Sequence, residues 1–160
     1  ELRRLMTDPI FPVPLEVMRA KLEFRDFAPG DVLEPGPGVK VRTVGLNARS
    51  PVTGFRVEYA GRSLAYAIDV GPAVGTDERA LEALIAGADL AVLGTDVAAG
   101  AAAPDWRWVL ACCARARVRK VALTNHAQSQ DDAALDRLGL VLAAEFPAAV
   151  LAREGSRIEL

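Results

Sequence analysis

Along the first part of the chain apolar and polar positions alternate; further along, the spacing lengthens to that of helices. Leu22, Phe24 and Phe27 interleave with Glu23, Arg25 and Asp26, which predicts a strand over residues 22–27. Val39, Val41 and Val44 alternate with Lys40 and Arg42 and predict another over residues 39–44. Between them lie the turn at Pro29-Gly30-Asp31 and a short extended piece at Val32-Leu33, closed by Pro35-Gly36-Pro37-Gly38. Residues 55–59 alternate once more, Ala60-Gly61-Arg62 turns the chain, and residues 63–68 return almost continuously apolar. Such a run is expected of a strand buried on both faces. The hairpin brings Asp69 to the carboxyl end of that strand, where α/β proteins keep their chemistry. An aspartate ahead of Val70-Gly71 equally suits a side chain that only stabilises the following turn.

Beyond Asp69 the pattern is strand, helix, strand, helix. Thr76 as a hydroxyl cap, followed by Asp77 and Glu78 as acids of the first turn, predicts a helix start, with Leu81, Leu84 and Ile85 as its inward stripe and Gly87 as its end. Residues 90–93 predict a short buried strand, and residues 97–103, mostly alanine, a loop. Pro104 and Asp105 open a helix to Arg117 with Trp106, Val109, Leu110 and Cys113 inward. Residues 121–123 predict another buried strand. Asp131 and Asp132 begin a helix with Leu135, Leu138 and Leu142 inward, and residues 150–151 pair with 158–160 as a closing hairpin. At the other end, Leu2, Leu5 and Met6 read as a helix tail, and the proline-interrupted residues 10–15 as a strap across a hydrophobic surface. Antiparallel strands first and strand–helix units afterwards predict an α/β fold, a mixed sheet with helices on one face.

Composition narrows the function classes. A chain of 160 residues is one domain by size, and a formal charge of −2 gives no sign of a nucleic-acid partner. Arg115, Arg117, Arg119 and Lys120 cluster where a helix ends, which suits its dipole. Cys112 and Cys113 are adjacent, unlike a disulfide framework or a Cys-x-x-Cys metal site. A reducing cytoplasm fits that usage, and no apolar run reaches membrane-spanning length. The start at Glu1 rather than Met marks a trimmed product or a piece of a longer protein. No glycine-rich phosphate loop is present: Gly36-Pro37-Gly38 lies among prolines that remove amide donors.

The order of these pieces resembles the second half of the metallo-β-lactamase fold, an αββα sandwich, over nearly the whole chain. The resemblance is carried by residues 10–15, Pro29-Gly30-Asp31, Leu46-Asn47, residues 53–58, Tyr66-Ala67-Ile68-Asp69, residues 131–136 and Ala152-Arg153-Glu154-Gly155. It is greatest to soluble bacterial metallo-hydrolases that resemble phosphodiesterases. The resemblance implies two metal ions, usually zinc, that activate a bridging water and polarise the scissile group. Four ligands come from an HxHxDH motif in the first half, which this chain does not contain; it has one histidine. A further histidine belongs directly after Asn47, where Ala48 stands, and the bridging aspartate matches Asp69. The last histidine belongs to a pair that here reads Asn125-His126, and the ligand position falls on either member. A His-Ser-Thr triplet ahead of Trp106 is replaced by Ala103-Pro104-Asp105.

Asp69 and His126 are therefore the candidate metal residues, fewer than the three or four protein groups that hold zinc. With the surrounding ligands lost, His126 better suits a loop histidine bonded to backbone. No catalytic residue is assigned. The resemblance implies a single domain over residues 1–160, and the departures at Ala48 and Asn125 lead to the expectation that it is catalytically degenerate and without a cofactor, acting as a protein-interaction or binding module. Its partner would be the missing N-terminal half, a second copy or a different protein, with neither nucleic acid nor membrane. The alternative is the carboxyl-terminal part of a zinc- or manganese-dependent, phosphodiesterase-like hydrolase.

Overall fold

The computed structural model describes residues 19–48, 51–94, 105–126 and 130–160, with Met6 and Val17 as isolated positions. The strap at residues 10–15, the loop at 97–103 and most of the helix tail at 2–6 lie outside the described residues. Seven strands form one sheet in chain order: β1 (Val32–Gly36), β2 (Val39–Gly45), β3 (Thr53–Tyr59), β4 (Arg62–Ala67), β5 (Leu90–Gly94), β6 (Val121–Thr124) and β7 (Ala149–Leu151). β1 to β4 are antiparallel, and β4 to β7 run parallel. The β3–β4 turn uses Ala60 (φ 48°) and Gly61 (φ 75°), the doubly left-handed geometry that matches strand twist.

Each parallel step is bridged by a helix: α1 (Glu78–Ile85), α2 (Asp105–Arg115) and α3 (Asp132–Glu145). Right-handed crossovers that always advance the same way place every helix on one face. Ala65, Ala67, Ala91, Leu93, Val121, Leu123 and Ala149 accordingly form one buried core with Leu81, Leu84, Ile85, Trp106, Val109, Leu110, Cys113 and Leu142. Small alanines on the strands let the helices approach closely. Cys112 and Cys113 are buried and free, and burial pushes their thiols up to about 11 and about 12, so they pack as unreactive apolar groups.

The opposite face has no helix. Pairing places Val41, Val57, Leu64 and Leu90 in one cross-sheet row and Phe55, Tyr66, Val92, Ala122 and Val150 in the next. Tyr66 is 39% and Val150 46% exposed. The expectation that residues 63–68 are buried on both sides therefore fails: only the helix side of β4 is covered throughout.

Three further expectations change. Residues 22–27 form no strand; Phe27 packs edge-on against Phe55, with ring centroids 5.9 Å apart, because alternation sets a face without supplying a pairing partner. The cap of α1 is Asp77, whose carboxylate accepts from the Arg79 and Ala80 amides, while Thr76 is engaged elsewhere. β7 pairs only with β6, and residues 156–160 form no closing strand.

Of the basic cluster, Arg115 stands in the last turn of α2, where its charge suits the dipole, and the cluster also makes ion pairs. Arg115 bridges Glu78 and Glu82, and Arg119 reaches Asp89 at 3.1 Å. The Asp89 carboxylate also accepts from the Ser63 amide (2.9 Å) and hydroxyl (3.1 Å), tying the start of β4 to the start of β5. The Ser63 amide, aided by Arg119 and Arg62, holds the Asp89 carboxyl below its ordinary 3.8. Its contribution is complete above that unfolded value and disappears as pH falls through the lower folded one. Urea midpoints followed against pH should show this acid limb, and Asp89→Asn should flatten it.

Candidate functional site

At the carboxyl end of the sheet, two non-glycine residues adopt left-handed backbone: Asp69 (φ 55°) just beyond β4 and Asn125 (φ 63°) just beyond β6. Each conformation costs on the order of 1 kcal/mol, and such residues gather where surrounding structure imposes them. The Asn125 amide donates to Asp69 Oδ1 at 3.3 Å. β5 lies between their strands, so the chain after β4 must cross its end. The Val70 amide donates to the Gly94 carbonyl there, and a Cβ on Gly94 would lie 2.9–3.0 Å from Ile68 Cγ2, Cα and Cβ. Gly94→Ala should therefore push this crossing outward and cost about 1–3 kcal/mol, measured by urea unfolding.

Asp69 is positioned by a buried polar network. Asn47, 8% exposed, donates its side-chain amide to the Asp69 carbonyl (3.0 Å) and accepts from the Thr76 hydroxyl (2.9 Å). Thr76 Oγ1 in turn accepts from the Gly71 amide at 2.9 Å. Each buried group is thus satisfied, as burial demands, and the turn carrying Asp69 is fixed from both sides. Thr76, expected as a helix cap, is a structural member of this network. No local spacing reveals it, since Asn47 is separated from Asp69 and Thr76 by 22 and 29 residues.

His126 points elsewhere. Its Nε2 lies 3.2 Å from the Ala152 carbonyl; a carbonyl only accepts, so Nε2 carries the proton. Its buried Nδ1 has no hydrogen-bond partner among the described residues. Of the pair Asn125-His126, the asparagine is the member that meets Asp69. Ala48 is exposed on the loop beside Asn47 and offers only a methyl group. Asp69 with an amide donor is a poor match to zinc, whose protein ligands are thiolates, imidazoles and carboxylates.

Among the described residues one other group brings potential ligand atoms together: Glu78, Glu82 and Cys112. Arg115 already donates to both carboxylates and contacts Cys112 Sγ at 3.3 Å, so a guanidinium neutralises this cluster. It sits between α1 and α2 and includes neither Asp69 nor Asn125.

Neither a protein-family model nor a curated protein sequence matches the chain. Solved structures do. The metallo-β-lactamase fold protein YhfI from Bacillus subtilis superposes with a TM-score of 0.63 at 15% identity, covering 81% of this chain and 52% of that one. A diphosphatase from the PhnP family gives 0.62 at 16% identity, covering 83% and 47%. The short form of human tRNase Z gives 0.55 at 18%, covering 80% and 46%. The chain has the metallo-β-lactamase fold, and it spans about half the length of these structures. Among the described residues no helix is long and apolar enough to cross a membrane.

Proposed function

We propose that this chain is the second half of a metallo-β-lactamase sandwich whose metal centre is lost, and that it works by binding a protein partner through its helix-free sheet face. The observation that carries this reading is the contact between the Asn125 amide and the Asp69 carboxylate. The last-ligand position falls on Asn125, where a neutral amide satisfies the acid that would otherwise bridge metals. Ala48 removes a second ligand, and the His126 ring is held by Ala152. Partnering is supported by the half coverage of the matched structures and by the apolar rows left without a helix, since contiguous exposed apolar surface marks interaction sites. The occupant is a second sheet, the first half of the sandwich; a second copy of this chain is the competing outcome, separated by whether the purified chain dimerises.

A generic phosphodiester, bis-p-nitrophenyl phosphate, tests the loss of catalysis with zinc or manganese added. The reading gives no turnover above buffer. Robust turnover that vanishes in Asp69→Ala overturns it.

One observation favours a second reading: a matched structure is a diphosphatase. This chain would then be the carboxyl-terminal part of a metal-dependent hydrolase, its other ligands lying in sequence before Glu1. An HxHxDH motif there would support that reading, and Ala48 would still leave the site short of a ligand.

A further inference from the structure

The segment after β7 does not close the sheet; it crosses the helix-free face. Gly155 (φ 77°) and the Ser156 amide, which donates to the Arg153 carbonyl, reverse the chain, and Arg153 anchors this turn to Asp136 on α3. The Glu159 carbonyl then accepts from the Lys120 ammonium at 2.6 Å. Leu160 lines a cavity of about 350 Å³ together with Val57, Tyr59 and Leu64. The two anchor points lie at opposite ends of one cross-sheet row, Val57–Leu64–Leu90–Lys120, continuing the observed register. Leu90 sits between them and is only 5% exposed, although Tyr66 and Val150 in the adjacent row are 39% and 46% exposed.

We infer that residues 157–160 form a displaceable arm that masks part of the docking face and must leave for a partner sheet to seat. The inference rests on that face being the docking surface. Among the described residues the arm makes no ladder hydrogen bonds and holds on through the Lys120 ammonium and the Leu160 side chain, so it belongs to the low-stability end of the fold. A partner sheet would offer the same apolar row a continuous cover. Until then Leu160 shields the Leu64 side of that row, as covering segments do for open sheet surface.

The test compares the full chain with a version ending at Ser156 and with Lys120→Ala, using the apolar dye ANS as probe and circular dichroism to follow the fold. Removing the arm should raise ANS fluorescence roughly twofold or more with the helical signal retained, and Lys120→Ala should give a smaller rise in the same direction. Unchanged dye binding in both overturns the arm as a mask. Loss of the fold on truncation, with Lys120→Ala behaving as the full chain, makes the segment structural and also overturns it. Neither readout involves metal or turnover, so turnover that overturns the loss of catalysis leaves the masking standing, whereas unchanged dye binding overturns the masking alone.

Discussion

Leu93→Ala should destabilise the chain by about 2–5 kcal/mol, a large share of the roughly 5–15 kcal/mol that holds a domain of this kind together. Leu93 is fully buried at the centre of the helix-covered face, and its neighbours are locked by packing against α1 and α2 on one side and paired strands on the other. Tyr66→Ala, on the adjacent strand but the opposite face, should cost about 1 kcal/mol or less, because that ring is already 39% exposed. The contrast between the two, read from urea unfolding, reports the one-sidedness of the sheet. Equal costs would mean that the helix-free face is buried in the chain by itself.

The second large effect is a gain. Ala48→His combined with Asn125→His should create a zinc site with Asp69, three protein groups being enough to hold the ion. Asn125 already reaches the carboxylate, and Asn47 pins the loop of residue 48 to the Asp69 backbone, so both new imidazoles start at the acid's end of the sheet. Free zinc at about a hundred times the dissociation constant should stabilise the variant by about 2.7 kcal/mol and leave the parent chain unmoved. Thermal melts with and without zinc check this. A variant as indifferent to zinc as the parent would show that residue 48 and Asn125 do not converge on Asp69.

Local pattern carried much of the fold. The inward stripes Leu81-Leu84-Ile85 and Trp106-Val109-Leu110-Cys113 are the buried faces of α1 and α2, and the switch from alternation to helical spacing after Asp69 marks the change from antiparallel to parallel sheet. The misreadings share a cause. Residues 22–27 and 158–160 have strand-like sequence, but whether a strand forms depends on a partner with free hydrogen-bonding groups, which spacing does not encode. Tyr66 and Ile68 read as core because they are apolar; they are exposed because no helix covers their side.

The site was legible in part. Asp69 could be placed at a strand end from the hairpin and the turn after it. Which of Asn125 and His126 meets the acid could not be read, because adjacent residues share every pattern signal; in the structure Asn125 has left-handed backbone and bonds to Asp69, while the His126 ring lies against Ala152. Asn47 and Thr76 were invisible as positioning groups for the same reason that most tertiary contacts are: their partners lie far along the chain.

The most direct measurement is the metal content of the purified full chain by elemental analysis, after equilibration with zinc and manganese and removal of excess ion. With Asn125 seated on Asp69 and a methyl at residue 48, the protein should retain far less than one ion per chain. One or two firmly held ions per chain, lost in Asp69→Ala, would contradict the account.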